Sequence, residues 1–174
     1  MLNTGAQSDS KVEVHKYYGG AVIVVSFLAL LLQAFLHKYG HFAELLDLPL
    51  LVTFYFGMSR RKPVSGLFLG AAIGIVQDAL SHGSPIGLYG IAKTLVGYVG
   101  SSIGGRIDTE HPVSRFVLVF LCFHFHQAVL ATTERVLLNR AAPYFSLHLL
   151  LGSLVTAAFA VVLFALLDRL RKPS

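Results

Sequence analysis

The sequence predicts an all-α integral membrane protein with six transmembrane helices in one bundle. Hydrophobic residues occupy 55% of its 174 positions, and a mean hydropathy of +0.67 is too high for a soluble domain. A hydrocarbon core of about 30 Å needs roughly 20 helical residues to cross it. Apolar segments of that length or slightly shorter lie at 19–36, 44–58, 63–81, 85–103, 113–133 and 146–167.

The basic residues predict how these segments are oriented. If the N-terminus is cytoplasmic, nearly every Lys and Arg falls on the inner side. The exceptions are Lys38, Arg135 and Arg140 on the outer side and Lys93 within the membrane. Because cytoplasmic loops carry an excess of Lys and Arg, we expect both termini in the cytoplasm.

The charge pattern also predicts the domain organisation. Residues 1–18 form a polar cytoplasmic segment, 19–168 a single transmembrane domain, and 169–174 a basic cytoplasmic tail. No small-residue cleavage site follows the first apolar run, which we interpret as a retained span rather than a signal peptide. The strongest predicted cytoplasmic anchor is the run Arg60, Arg61 and Lys62.

Prolines mark the starts of the predicted spans. Asp47 and Pro49 interrupt the start of the second span, so either its helix begins near His41 and bends at Pro49, or the segment before Pro49 lies in the outer interface. The first alternative is preferred. Four other prolines stand at or just before the start of a span, where a fixed φ suits a first helical turn: Pro63, Pro85, Pro112 and Pro143.

The third and fourth spans are predicted to form an antiparallel hairpin, because only the four polar residues 81–84 join them. Small residues line both arms: Gly66, Gly70 and Gly74 in the first, and Gly90, Gly97 and Gly104 in the second. Such stripes let two helix backbones approach closely within a membrane. The glycines therefore either pack the hairpin together or receive the helix of a partner.

Ionisable residues form a predicted polar cluster in the outer half of the bundle: Asp47, Asp78, His82, Lys93 and Glu134. Measured from the hairpin turn at 1.5 Å per residue, Asp78 lies roughly 8 Å deep and Lys93 roughly 14 Å deep. A lysine stem can close that gap, so we expect a salt bridge between Asp78 and Lys93. It either fixes the register of the two helices or belongs to a polar pocket.

Enzymatic chemistry has little support in the sequence. His124 and His126 are two residues apart and point about 200° away from each other on a helix, so they cannot hold one metal ion together. Cys122 is the only cysteine and can form no internal disulfide. The basic residues stand singly or at span ends, which favours topology over nucleic-acid binding as their role. We expect no enzymatic activity, no metal and no cofactor.

The stretch 47–104 resembles a known family. It reads LDLPLLVTFYFGM, then the basic turn SRRKP, then GLFLGAAIGIVQDALS, a short Gly/Ser turn, and IGLYGIAKTLVGYV. This order is similar to that of the rod shape-determining protein MreD family. Asp78, Ser81 and Gly87 fit the family's Asp-x-x-Ser turn and the glycine after it, whereas Lys93 has no place in that pattern.

The resemblance implies a non-enzymatic multi-pass protein of the bacterial inner (cytoplasmic) membrane. Such a protein binds MreC, and through it acts with MreB, RodA and the elongation transpeptidase to direct lateral peptidoglycan synthesis and rod shape. The basic anchor would also touch membrane lipids. The family shares the architecture of the substrate-binding subunits of energy-coupling-factor transporters. The alternative function is therefore the substrate-binding membrane subunit of a small-molecule, vitamin-type transporter.

Overall fold

The computed structural model describes residues 17, 19–36, 45–60, 62–81, 85–104 and 111–170. These residues form six helices and no strand. The helices are α1 (Gly19–Leu36), α2 (Leu48–Arg60), α3 (Pro63–Leu80), α4 (Leu88–Ile103), α5 (Pro112–Leu138) and α6 (Leu147–Asp168). Four of them, α1, α3, α5 and α6, are long and apolar enough to cross a membrane. The predicted all-α fold is confirmed for the described residues, and six membrane spans stay a prediction.

The ends of the helices follow local sequence signals. Pro63 and Pro112 each occupy the first position of their helix, α3 and α5, where the missing N–H costs nothing. Helix α5 runs 27 residues, about a turn beyond the predicted end of its span at 133. It ends at Asn139, whose φ of 50° is a left-handed conformation that closes the helix.

The start of α2 differs from the preferred prediction. The helix begins at Leu48, so Pro49 lies in its first turn and not in the middle of a longer helix. Two groups satisfy the first amides of α2: Leu48 N–H donates to the side-chain oxygen of Gln33 at 3.0 Å, and Leu50 N–H donates to Asp47 Oδ1 at 2.8 Å. Asp47 therefore acts as the N-cap of α2. His41 lies outside the described residues.

Helix α2 is the centre of the bundle. Every residue from Leu50 to Met58 is buried, and the large apolar residues among them are at most 5% exposed. Helix α2 contacts each of the other five helices. Thirteen residues span only about 20 Å, less than a hydrocarbon core. A helix of that length fits here because protein, rather than lipid, surrounds it.

The predicted glycine stripes meet inside the chain. A Cβ added at Gly66 would overlap the carbonyl oxygen of Gly97, one at Gly70 that of Lys93, and one at Gly74 that of Tyr89. We call Gly66, Gly70, Gly74 and Gly97 the glycine seam between α3 and α4. Gly104 packs in the same way against Met58 of α2, while Gly90 has ordinary contacts with Ile75 and Asp78. These glycines thus serve packing within the chain.

Replacing Gly70 by Ala should destabilise the bundle, because the new methyl group would collide with backbone that no rotamer change can move. Overpacking of this kind costs about 1–3 kcal/mol. The apparent melting temperature of the purified protein in detergent should fall by several degrees. Gly20→Ala is the matched control, since nothing lies within 4 Å of its added Cβ. Equal melting of the two variants would contradict the close contact at Gly70.

Candidate functional site

The buried Lys93 is paired with Asp47. Its Nζ donates to Asp47 Oδ2 at 2.9 Å and to Oδ1 at 3.0 Å. The lysine side chain has no exposed surface, and the aspartate side chain is 14% exposed. The expected salt bridge between Asp78 and Lys93 is therefore wrong. Its partner comes instead from the residue before α2, 46 positions away in the sequence.

Asp78 caps the start of α4, which explains why it does not pair with Lys93. Its carboxylate accepts three backbone N–H groups: Gly87 at 3.0 Å, Tyr89 at 3.1 Å and Gly90 at 2.9 Å. These are the amides at the start of α4, which have no partners within their own helix. Gly87 precedes the helix with a φ of 111°, a conformation that other residues rarely adopt. The last turn of α3 thus caps α4 across the hairpin.

His126 of α5 completes the polar arrangement beside the ion pair. Its side chain has no exposed surface, and its Nδ1 lies 4.0 Å from Asp47 Oδ2. Among the residues that the structure describes, neither ring nitrogen has a hydrogen-bond partner. The imidazole stacks on Tyr89 with ring centroids 6.3 Å apart and planes inclined by 19°. Lys93 Nζ lies 5.8 Å from the centroid of the same tyrosine ring.

We call Asp47, Lys93, His126 and Tyr89 the polar centre. It joins three elements that are distant in sequence: the start of α2, the first half of α4 and the middle of α5. An ion pair inside a membrane protein is costly to bury and is tolerated when each charge has a close partner.

The sequence predicts only two of the four residues of the polar centre. Asp47 and Lys93 were in the predicted polar cluster, whereas Tyr89 and His126 were not. The sequence of α5 carries no clear signal for His126, because its buried face mixes apolar and polar residues, such as Arg115 and Cys122. His124 faces another way and contacts the ring of Phe120 at a centroid distance of 4.7 Å. The two imidazoles therefore occupy separate environments, as helical geometry requires.

The remaining predicted residues are not all brought to the centre. Glu134 is half-buried on α5 and within electrostatic range of Tyr89. Lys62 is exposed directly before α3, and Arg60 ends α2. The side chain of Arg60 lies outside the described residues, as do His82 and Arg61.

A second polar network lies at the opposite end of the bundle, where sequence reasoning had found none. Arg115 of α5 forms a salt bridge with Asp168 of α6. Asp168 also accepts the hydroxyl of Tyr55 at 2.7 Å, and the Tyr55 and Tyr17 hydroxyls are 2.6 Å apart. We call these four residues the second network. In the sequence Arg115 was counted only as a topological charge, yet just 6% of it is exposed.

No other protein helps to assign these arrangements. No family model matches the chain, and no curated protein and no solved structure matches it. Among the described residues, no group of three or more His, Cys, Asp and Glu side chains is arranged to hold a metal ion. The chemistry of the centre therefore has to be inferred from its own geometry.

Lys93→Met should be strongly destabilising at pH 8, because it leaves the Asp47 carboxylate buried without its partner. The cost of breaking a buried pair is about 3–5 kcal/mol. Asp47→Asn/Lys93→Met should recover most of that loss, since the neutral amide oxygen can still cap α2. The apparent melting temperature in detergent measures both effects.

Asp78→Asn/Lys93→Met is the matched control for that pairing. It leaves Asp47 unpaired and also weakens the cap of α4, so it should be no more stable than Lys93→Met alone. Recovery in this variant, with none in the Asp47 variant, would restore Asp78 as the partner of Lys93.

Proposed function

We propose that this chain is a non-enzymatic protein of the bacterial cytoplasmic membrane that binds MreC and helps direct lateral peptidoglycan synthesis and rod shape. Through MreC it would act with MreB, RodA and the elongation transpeptidase. The proposal rests on the resemblance of residues 47–104 to the MreD family. It is supported by the way in which those residues pack together.

The observation that carries the proposal is that residues of the stretch 47–104 close and pack the α3–α4 hairpin. Asp78 and Gly87, which fit the family pattern, close the hairpin: the carboxylate caps α4 and the glycine supplies the turn before it. The glycine seam then holds α3 directly against α4. A stretch used in this way favours a rigid scaffold over a reactive site.

The architecture we propose is a bundle of six spans with both termini in the cytoplasm. The Asp47 end of the bundle then faces outward, and the Arg115 end faces the cytoplasm. Helices α2 and α4, with 13 and 16 residues, are short for a hydrocarbon core of about 30 Å. They cross as interior elements beside the longer helices. A bundle of this kind is also expected for the substrate-binding subunit of an energy-coupling-factor transporter.

One observation favours that transporter subunit as a second candidate. His126 has two unused ring nitrogens in the proposed outer half of the bundle, and buried polar atoms of that kind are commonly satisfied by a bound molecule or water. The scaffold remains the first proposal, because the other charged members of the polar centre already satisfy one another.

Depletion in the native host separates the two candidates. A scaffold of the elongation machinery should be needed in every medium, so we expect rods to swell into spheres in both rich and minimal medium. Microscopy and growth curves measure this, with re-expression of the wild-type chain as the control. Normal shape together with a growth defect that one nutrient rescues would favour the transporter subunit and overturn the scaffold.

Single cysteines test the proposed topology in a Cys122→Ala background. Lys62→Cys and Arg140→Cys replace exposed residues that precede α3 and follow α5, respectively. An impermeant maleimide added to intact cells should label Cys at 140 and leave Cys at 62 unlabelled. Both sites should react after the cells are opened. The reverse pattern in intact cells would invert the orientation.

A further inference from the structure

The carboxylate of Asp47 faces two side chains that can carry a positive charge. Its Oδ1 accepts the Leu50 amide and one bond from Lys93. Its Oδ2 accepts the second bond from Lys93 and lies 4.0 Å from Nδ1 of His126. Both potential cations therefore approach the same oxygen atom, Oδ2.

The position of His126 is costly unless its nitrogens acquire a partner. A buried donor or acceptor without a hydrogen-bond partner is unfavourable, and among the described residues neither ring nitrogen of His126 has one. Nδ1 needs to approach Oδ2 by only about 1 Å to reach hydrogen-bonding distance. A protonated imidazole donates through both nitrogens, so a charge on His126 would draw Nδ1 toward Asp47.

The other groups around the imidazole decide what such a charge would do. Asp47 and Lys93 of α4 act on His126 directly. Asp78 of α3 and Cys122 of α5 act on Lys93, and Glu134 of α5 acts on Tyr89. The titratable residues of α6 are His148 and Asp168, near its two ends.

Lys93 is the only cation in this set. One carboxylate cannot hold two buried cations as closely as one, so the two compete for Oδ2. The flexible stem of Lys93 lets Nζ move away from Oδ2 while it stays within electrostatic range of Asp78.

We propose that His126 is a proton-binding site and that Asp47 is the shared counter-ion of Lys93 and the imidazolium. A proton from the aqueous phase, arriving past the partly exposed Asp47, adds to a ring-nitrogen lone pair and forms an N–H bond. Lys93 keeps its own proton, so the polar centre gains one positive charge. In one state the Asp47 carboxylate pairs with Lys93 and links α2 to α4. In the other it pairs with the His126 imidazolium and links α2 to α5. This inference goes beyond the proposed function and does not rest on it.

The test removes the competing cation. In Lys93→Met the carboxylate is left for His126 alone, so lowering the pH from 8 to 5 should restore much of the melting temperature lost at pH 8. In Lys93→Met/His126→Gln no such recovery should occur. The wild type and Asp47→Asn/Lys93→Met, measured at both pH values, correct for general effects of acid. Equal recovery with and without His126 would overturn the proposal.

A direct measurement on histidine accompanies the stability test. The protein labelled with ¹⁵N-histidine is studied by NMR in detergent, and His126→Gln assigns the resonance among the eight histidines. At pH 6 the ratio of charged to neutral His126 should be at least tenfold higher in Lys93→Met than in the wild type. It should return to the wild-type ratio in Asp47→Asn/Lys93→Met. If Lys93→Met does not fold, Lys93→Gln replaces it; an unchanged ratio in a folded variant would overturn the proposal.

Discussion

The ion pair between Lys93 and Asp47 joins α4 to the segment before α2 inside the bundle. A lysine without exposed surface needs a carboxylate within reach, since an unpaired charge in a membrane interior is too costly. The bonds from Lys93 to Asp47 hold the segment before α2 against the first half of α4. The same segment is held from two other sides, by Gln33 of α1 at Leu48 N–H and by Thr156 of α6 at the carbonyl oxygen of Leu45.

The glycine seam makes this pairing possible. Because Gly70 and Gly74 bring the backbone of α3 against that of α4, the carboxylate of Asp78 reaches the first amides of α4. It is fully used there, with three N–H donors. Lys93 is thereby left to Asp47. Close backbone packing of α3 against α4 thus determines which carboxylate pairs with Lys93, and both Asp78 and Lys93 have their partners within the protein.

Periodicity and composition predicted the helices, their approximate ends and the glycine hairpin, because those depend on residues near one another in sequence. The partner of Lys93 could not be predicted in this way. Comparing the depths of residues in the hairpin can pair only residues of its two arms. Asp47 lies outside the hairpin, 46 positions from Lys93, and reaches it through the tertiary packing of α2. The partner of Arg115 could not be predicted for a related reason, because its carboxylate is 53 positions away in the sequence.

Helix α2 connects the two polar regions of the bundle. Asp47 immediately precedes it and belongs to the polar centre, while Tyr55, about 12 Å further along the helix, belongs to the second network. The side chains of the second network all have bonded partners, whereas the imidazole of the polar centre has none among the described residues. The Asp47 end is therefore the end with a second arrangement open to it. A buried helix that contacts every other helix cannot shift at one end without moving its neighbours.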